Sequence, residues 1–311
     1  VGRNWGRYVN LTVAGGPDLS GLRIAFEIKQ NTIQAPSMAS FRVYNPSPDS
    51  VSSLLKLAEG AKVTFNCGYD DHHGVVFSGD LKQVISGHET VTDTYVELFC
   101  ADGDKGYNLS TVSTTLKSGY TPADKLKAAV DAMGPNGVTM GMTNVDMSKP
   151  QFPRGIPLVG MARDVVREVA LFLGATWSIQ MGQVQVVSKD KPLQGSALIM
   201  NSQTGLVGWP KQTGDGIYVT SLINSQLQPN TLLQIDQSSI QRAEQDNNPL
   251  TSGGSDLNLS LKYQGVADGV YRVLAVDRRG DTRNNEWYDV STCIGAITGS
   301  VPNSQIVLGR S

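Results

Sequence analysis

Asp70, Asp71, His72 and His73 form the one cluster of ligand-capable side chains in the sequence. Neighbouring residues on a strand point to opposite faces, so the two imidazoles reach one ion only from a turn, and no second cluster supplies the missing ligands of a tetrahedral site. The quartet reads as a solvated hairpin turn, with a metal site as the alternative. His88 stands alone in another polar stretch. Hydrolysis would need a nucleophile paired with a base, or two carboxylates converging in a cleft. The sequence has neither GxSxG nor HExxH, and TSGGSD lacks the Lys of a phosphate-binding loop. No catalytic residue, metal or cofactor is expected. Cys67, Cys100 and Cys293 are odd in number and show no CxxC spacing, which argues against zinc and a disulfide framework. They read as buried thiols in strands of a protein assembled in a reducing cytosol. Arg279-Gly280-Asp281 matches a cell-adhesion tripeptide, but it falls where a hairpin tip between VYRVLAV and EWYDV needs Gly and Asp. Arg278, Arg279, Asp281 and Arg283 on that tip read as a charged docking rim, or as a solvated turn.

Charge narrows the partners. The net charge is −2, from 26 basic and 28 acidic residues, which argues against a surface built to hold nucleic acid by neutralising phosphates. A near-neutral chain still suits a channel that DNA passes without sticking. With 40% hydrophobic and 17% charged residues, the 311-residue chain has room for two or three globular domains. It contains no run of about 18 apolar residues and no charged-then-apolar start, so neither membrane insertion nor a secretory signal is expected. The start at Val1 is read as the loss of an initiator Met.

The elements that position these residues are mostly strands. In NTIQAPSMASFRVYNPS, Met38, Phe41, Val43 and Tyr44 lie between Pro36 and the Asn45-Pro46-Ser47-Pro48 breaker, which predicts a strand closed by a turn. AKVTFNCGY places Val63, Phe65 and Cys67 on one face, GVVFSGDLKQV begins a long hairpin, and YVELFC has a mixed pattern. SSLLKLAE, from Ser52 to Glu59, predicts a short helix with Leu54, Leu55 and Leu57 inward and Gly60 as its stop. At Tyr120 the period changes. Thr121, Pro122 and Asp124 start a helix along which Leu126, Ala129, Val130 and Met133 recur, ending at Gly134-Pro135. A second helix, Gly160 to Leu173, lines up Val165, Val166, Val169 and Phe172 or Leu173. ATWSIQ and QVQVVS follow as strands joined across Met181-Gly182. The third region returns to strands around the polar stretch 242–268, within which LNLSLKY is a further candidate. GVVFSGDLKQV with TYVELFC parallels GVYRVLAVDRR with EWYDVSTC, which suggests two copies of one unit.

These blocks also carry a family likeness. LRIAFEI, NTIQAPSMASFRVYNPS, GAKVTFNCGYDD, VVFSGDL and YVELFCADG, in that order, resemble the first tube-like barrel of baseplate hub proteins from contractile-tailed bacteriophages, relatives of the late control protein D family. TGLVGWPKQTGDGIYVTSLIN and VYRVLAVDRRGDTRNNEWYDVSTC resemble that family's second barrel, so the likeness spans most of residues 3–298. It implies a mainly β, α+β fold in which two tube-like β-barrel domains, 1–118 and 199–300, flank a small α+β domain at 119–198, with a tail at 301–311. It also implies a structural protein of the virion tail baseplate, made in the bacterial cytoplasm. Three chains would close into a ring of near six-fold symmetry, joining a hexameric tail tube to a trimeric central spike beside other baseplate proteins, around a channel through which DNA passes without sequence-specific binding. The residues expected at its interfaces are Tyr44, Asn45, Arg278, Arg279, Asp281, Arg283 and Trp287. Two alternatives remain: the distal tail ring protein of a non-contractile phage, and a host-surface-binding module. The latter calls for exposed aromatic platforms, whereas the four Trp are scattered at 5, 177, 209 and 287.

Overall fold

The structure, a computed structural model, describes residues 6–19, 21–57, 59–189, 193, 195–213, 216–235 and 269–296. The expected loop at 242–268, its LNLSLKY strand and the tail at 301–311 lie outside the described residues. The chain is mainly β, with its helices gathered towards the middle.

In the first region, period-two alternation forms β1 (Arg7–Val13), β2 (Ile24–Asn31) and β3 (Met38–Tyr44). After α1 (Pro48–Leu55) come β4 (Lys62–Tyr69), β5 (His72–His88) and β6 (Thr94–Ala101). Val63, Phe65 and Cys67 are buried together, as the pattern of β4 predicts. The mixed pattern of β6 has a cross-strand cause. Val96, Leu98 and Cys100 face the core, while on the other side Arg42 of β3 lies 4.6 Å over the Tyr95 ring and pairs with Glu97 at 2.9 Å. The helix expected over Ser52 to Glu59 begins earlier. Ser47 caps it, its Oγ accepting the Ser50 N–H at 3.2 Å, and Pro48 takes the first turn, where no N–H is needed. The Pro-rich breaker is therefore a helix start, and of the three leucines Leu54 is buried whereas Leu55 is 50% exposed. Asp70 and Asp71 form the exposed two-residue turn between β4 and β5. His73 stacks on Tyr8 with ring centroids 3.8 Å apart, and His72 tilts against Tyr69 at 5.4 Å. The two imidazoles thus go to separate aromatic partners, and among the described residues no group of His, Cys, Asp or Glu is arranged to hold a metal.

The middle region runs through α2 (Asp104–Leu109), β7 (Thr111–Leu116), α3 (Pro122–Met133), β8 (Thr139–Thr143), β9 (Ile156–Met161), α4 (Ala162–Phe172), β10 (Ala175–Gln180) and β11 (Gln183–Ser188). Thr121 and Asp124 form a reciprocal capping box at α3, the Thr121 Oγ1 accepting the Asp124 N–H and the Asp124 carboxylate accepting the Thr121 N–H. β10 and β11 turn through Met181 and Gly182, at φ 54° and 73°, a left-handed pair suited to a tight hairpin. Leu126, Ala129, Val130, Val166, Val169 and Trp177 share the core beneath. Leu173 packs against that core, while Phe172 is 57% exposed.

The third region contributes β12 (Leu198–Met200), β13 (Lys211–Thr213), β14 (Gly216–Leu222), β15 (Leu232–Ile235), β16 (Val270–Asp281) and β17 (Trp287–Gly295). The β16–β17 hairpin links the two strand regions. On one edge of β16, residues 270–272 pair with β15 and residues 275–281 pair with β2, so among the described residues 12 strands join in one sheet. Between the two stretches Leu274 bulges out: Val273 faces Cys293, and Ala275 faces Thr292. The β5–β6 hairpin has the same irregularity at Lys82, with Leu81 facing Cys100 and Gln83 facing Phe99. The two segments that parallel each other in sequence thus share a register in which each Cys opposes the residue before a bulge. A bulge bends and twists its strand, which lets one long strand pair with β15 along one stretch and with β2 along the next. The third region also completes the first region's core, since Trp287 of the hairpin and Ile223 after β14 pack with Phe26, Phe41, Phe65 and Phe77. Arg7 on β1 donates to the carbonyl oxygens of Asp281, at 2.7 Å, and Asn284, and its guanidinium lies 5.1 Å from the Trp287 ring centroid. The far edge of the sheet so returns to the hairpin, closing the first barrel.

Candidate interaction surface

One end of the first barrel gathers three chain segments: the start of β2, the end of β3 and the tip of the β16–β17 hairpin. Arg278 to Asp281 are not that tip. They are the last residues of β16, with Arg278 opposite Asp289, Arg279 opposite Tyr288 and Gly280 opposite Trp287, and the tip is residues 282–286. Asp281 organises it. Its carboxylate accepts the Arg283 and Asn284 N–H groups at 2.8 and 3.2 Å, and it receives the Arg23 guanidinium at 2.7 Å. Burial pushes the Asp281 carboxyl up, but the hydrogen bonds from Arg23 and the tip amides outweigh it and hold it below the usual carboxylate range. Arg23 in turn lies 4.3 Å over the Tyr44 ring. Asn45 follows at φ 51°, a left-handed position that Asn tolerates, and its Oδ1 accepts the Thr94 N–H at 2.9 Å while its Nδ2 donates to Asp93 at 3.2 Å. Leu22, Arg23, Tyr44, Asn45, Asp93, Arg283 and Asn284 surround an open groove of about 380 Å³.

The expected interface residues therefore separate into a rim and a support. Tyr44, Asn45 and Arg283 line the groove. Arg279 is exposed on the neighbouring sheet face, paired with Glu27 at 2.9 Å. Asp281 is 5% exposed and Trp287 2%, and both hold the tip from within. Arg278, expected on a solvated tip, is fully buried. The reason is its strand register, which points it inward opposite Asp289; it donates to the Asp289 carboxylate at 2.6 and 3.2 Å, to the Asn224 and Leu227 carbonyls at 3.2 and 2.9 Å, and to Gln30 Oε1 at 3.5 Å. A charge so placed is stable only because its partners are complete. The same observation removes the Arg-Gly-Asp tripeptide from any loop that a receptor could grip. Arg23, Asp93 and Asn284 were not legible as groove residues, because they meet Tyr44 and Arg283 only through strand pairing.

A second organising carboxylate joins the first region to the middle one. Asp102 follows β6 and accepts the Met181 and Gly182 N–H groups at 2.6 and 2.8 Å. It is 1% exposed, and burial pushes it up to about 6 against those two hydrogen bonds and nearby Lys62, with Asp80 adding to the rise. On the other side of the middle unit, buried Arg272 donates to Asn230 Oδ1 at 2.8 Å and to the Ser188 carbonyl at 3.2 Å. Asp80 and Arg272 precede the two equivalent bulges, so the paired hairpins present opposite buried charges at matching positions. Cys67, Cys100 and Cys293 are free and buried in strands as expected, each thiol pushed up to about 12 by burial. The groove itself holds arginines, amides, a carboxylate and a phenol, a set suited to hydrogen bonding and ion pairing with another surface.

No protein-family model matches the chain. No curated protein matches it in sequence. Among solved structures, the 43 kDa tail protein of prophage MuSo2 from Shewanella oneidensis aligns with 94% of this chain and 99% of its own, at TM-score 0.59 and 11% identity. The tail protein from Neisseria meningitidis MC58 aligns with 95% of this chain and 99% of its own, also at TM-score 0.59 and 11% identity. The E. coli c3393 protein, described as a component of the type VI secretion system with structural similarity to T4 bacteriophage tail proteins gp27 and gp5, aligns with 92% of this chain and 76% of its own at TM-score 0.52 and 10% identity. This chain thus has the fold of those tail and secretion-system proteins, with few residues in common.

Proposed function

We propose that this chain is a structural hub of a phage tail baseplate, acting by assembly rather than by chemistry. The observation that carries the proposal is the fold shared, over nearly the whole of both chains, with two phage-type tail proteins. The repeated bulged hairpin adds a physical reason, since a chain with two like strand units, one before and one after the middle region, converts three-fold assembly into near six-fold symmetry. In this reading a homotrimer presents six barrel units to a hexameric tail tube on one face and a trimeric spike on the other. Other baseplate proteins surround it in the virion, and DNA passes through the channel without sequence-specific contact. The unit at 119–198 packs outside the barrels. Tyr44, Asn45, Arg279 and Arg283 form the docking rim, while Arg278, Asp281 and Trp287 keep its shape. Obligate interfaces of such a ring should bury upwards of about 2,000 Å² and be mainly apolar. Sedimentation of the chain alone and with spike protein, followed by cryo-EM, tests the reading: three-fold particles with six barrels are expected. A chain that stays monomeric at high concentration with both spike and tube protein present would sink it.

A further inference from the structure

The middle unit carries a partly exposed aromatic cluster beside exposed basic side chains, which hub assembly through the barrels leaves unused. Gly119 donates its N–H to the Phe152 carbonyl at 2.7 Å, and Phe152 donates to the Tyr120 carbonyl at 2.9 Å, so these two segments lie side by side. Their rings stack, with Tyr120 and Phe152 centroids 4.7 Å apart and planes 19° from parallel; Phe172, at the end of α4, tilts against Phe152 at 5.8 Å. Phe172 is 57% exposed and Leu171 beside it 61%. Large apolar side chains that serve folding alone are normally turned to the core, whereas the end of α4 leaves Leu171 and Phe172 exposed, Phe172 resting on the half-buried Phe152 and Tyr120 pair, where a partner can reach them.

The surrounding charges say what that surface takes. Lys117, Lys149 and Arg154 are exposed on the same two segments, and a Cβ at Gly155 would sit 2.7 Å from the Leu116 carbonyl, which brings the Arg154 and Lys117 stretches together. The carboxylates of the adjoining helices are already engaged: Glu168 with Lys125 at 2.6 Å, Asp164 with Arg167 at 3.3 Å, and Asp124 in its capping box. The three cations have no ion-pair partner among the described residues. We propose that this patch docks an acidic protein segment, its apolar side chain seated on Phe172 and Leu171 and its carboxylates paired with Lys117, Lys149 and Arg154. An aromatic anchor with a charged rim is the usual form of a small protein-binding site. Single-stranded nucleic acid fits less well, because three cations do not track a phosphate backbone and Leu171 has no flat face on which a base stacks. The proposal does not depend on trimer formation.

The test uses the full chain and a fluorescein-labelled peptide alternating Asp or Glu with Leu and Phe. Its controls are the same peptide with Lys for every acid, and an oligo-dT of similar charge. The acidic peptide should bind at least about tenfold tighter than the basic one, and Phe172→Ser should weaken it by about tenfold or more, the effect of removing one hot-spot side chain. Lys117→Glu with Arg154→Glu should do the same and flatten the salt dependence. These side chains are exposed, and an unchanged melting temperature would verify that the variants fold. Equal affinity for both peptides, or variants that bind like the parent, would overturn the proposal. So would tighter binding of oligo-dT, which would assign the patch to nucleic acid, or self-association lost in Phe172→Ser, which would assign it to a second copy of this chain.

Discussion

Replacing Arg278 by Met should be among the most damaging single changes in this protein, and the damage should depend on pH. The guanidinium is fully buried and makes two hydrogen bonds to Asp289 and two to the Asn224 and Leu227 carbonyls. Removal leaves the Asp289 carboxylate, also 0% exposed, with the Asn224 N–H at 3.0 Å as its remaining donor. Breaking one side of a buried ion pair costs about 3 to 5 kcal/mol, far more than the loss of a surface pair. Burial already pushes the Asp289 carboxyl up, with Arg278 opposing it, so the variant's folded value rises further above the ordinary value of about 3.9 in the unfolded chain. For a carboxyl raised in the folded state, stability is fully present below the unfolded value and lost as pH climbs through the folded one. The Arg278→Met penalty should therefore be smaller at pH 5 than at pH 8. Asp289→Leu in the same background should restore about 2 kcal/mol or more, because no unpaired charge is then left inside. Urea unfolding followed by tryptophan fluorescence measures each variant, the midpoints being compared at equal slope. A penalty under about 1 kcal/mol, or one identical at both pH values, would refute the reasoning, since a buried unpaired carboxylate must show both effects.

Three further outcomes are expected. Phe41→Ala or Phe65→Ala, each at a fully buried ring in the first core, should cost about 3 to 5 kcal/mol in the same unfolding assay; a loss under about 1 kcal/mol would mean the cavity collapses freely. Asp102 stands at about 6 when folded against about 3.9 unfolded, so its contribution is greatest below pH 4, declines as pH rises to 7 by up to about 3 kcal/mol, and is flat above. Asp102→Asn should remove that step from the stability–pH curve, and an unchanged curve would show that the carboxyl titrates normally. Arg279→Glu with Arg283→Glu should leave any trimer intact in sedimentation while weakening capture of tube protein, and the parent's capture should itself weaken with added salt; trimer loss in this variant would place these arginines between subunits instead.

Local pattern decided much of this fold. The strand face of Val63, Phe65 and Cys67, the start of α3 at Thr121-Pro122 and the tight β10–β11 turn follow from side-chain period, capping and positive-φ tolerance within a few residues, which is why they were legible. The start of α1 was misread for a local reason as well, since Ser-Pro serves a helix start as readily as it ends a strand. β8 and β9 were not read as strands, and STVSTT over β7 reads only as strand edge and turn, because these segments are short and largely exposed, with little buried face to mark them.

By itself, then, the sequence determined the strands and helices with a clear buried face, the exposed Asp70-Asp71 turn, the buried thiols and the likeness between two distant hairpins, all consequences of side-chain period and turn chemistry. Only the tertiary structure decided what Arg278, Asp281 and Trp287 do. Their neighbours, Asp289, Arg23 and Phe26, lie on other segments of the sheet, Arg23 being 258 residues from Asp281, and the bulge at Leu274 sets which face of β16 carries Arg278. A strand's side chains alternate between core and solvent, so a single extra residue reverses the assignment of everything after it, and burial then turns an exposed-looking arginine into the interior charge on which the hairpin rests.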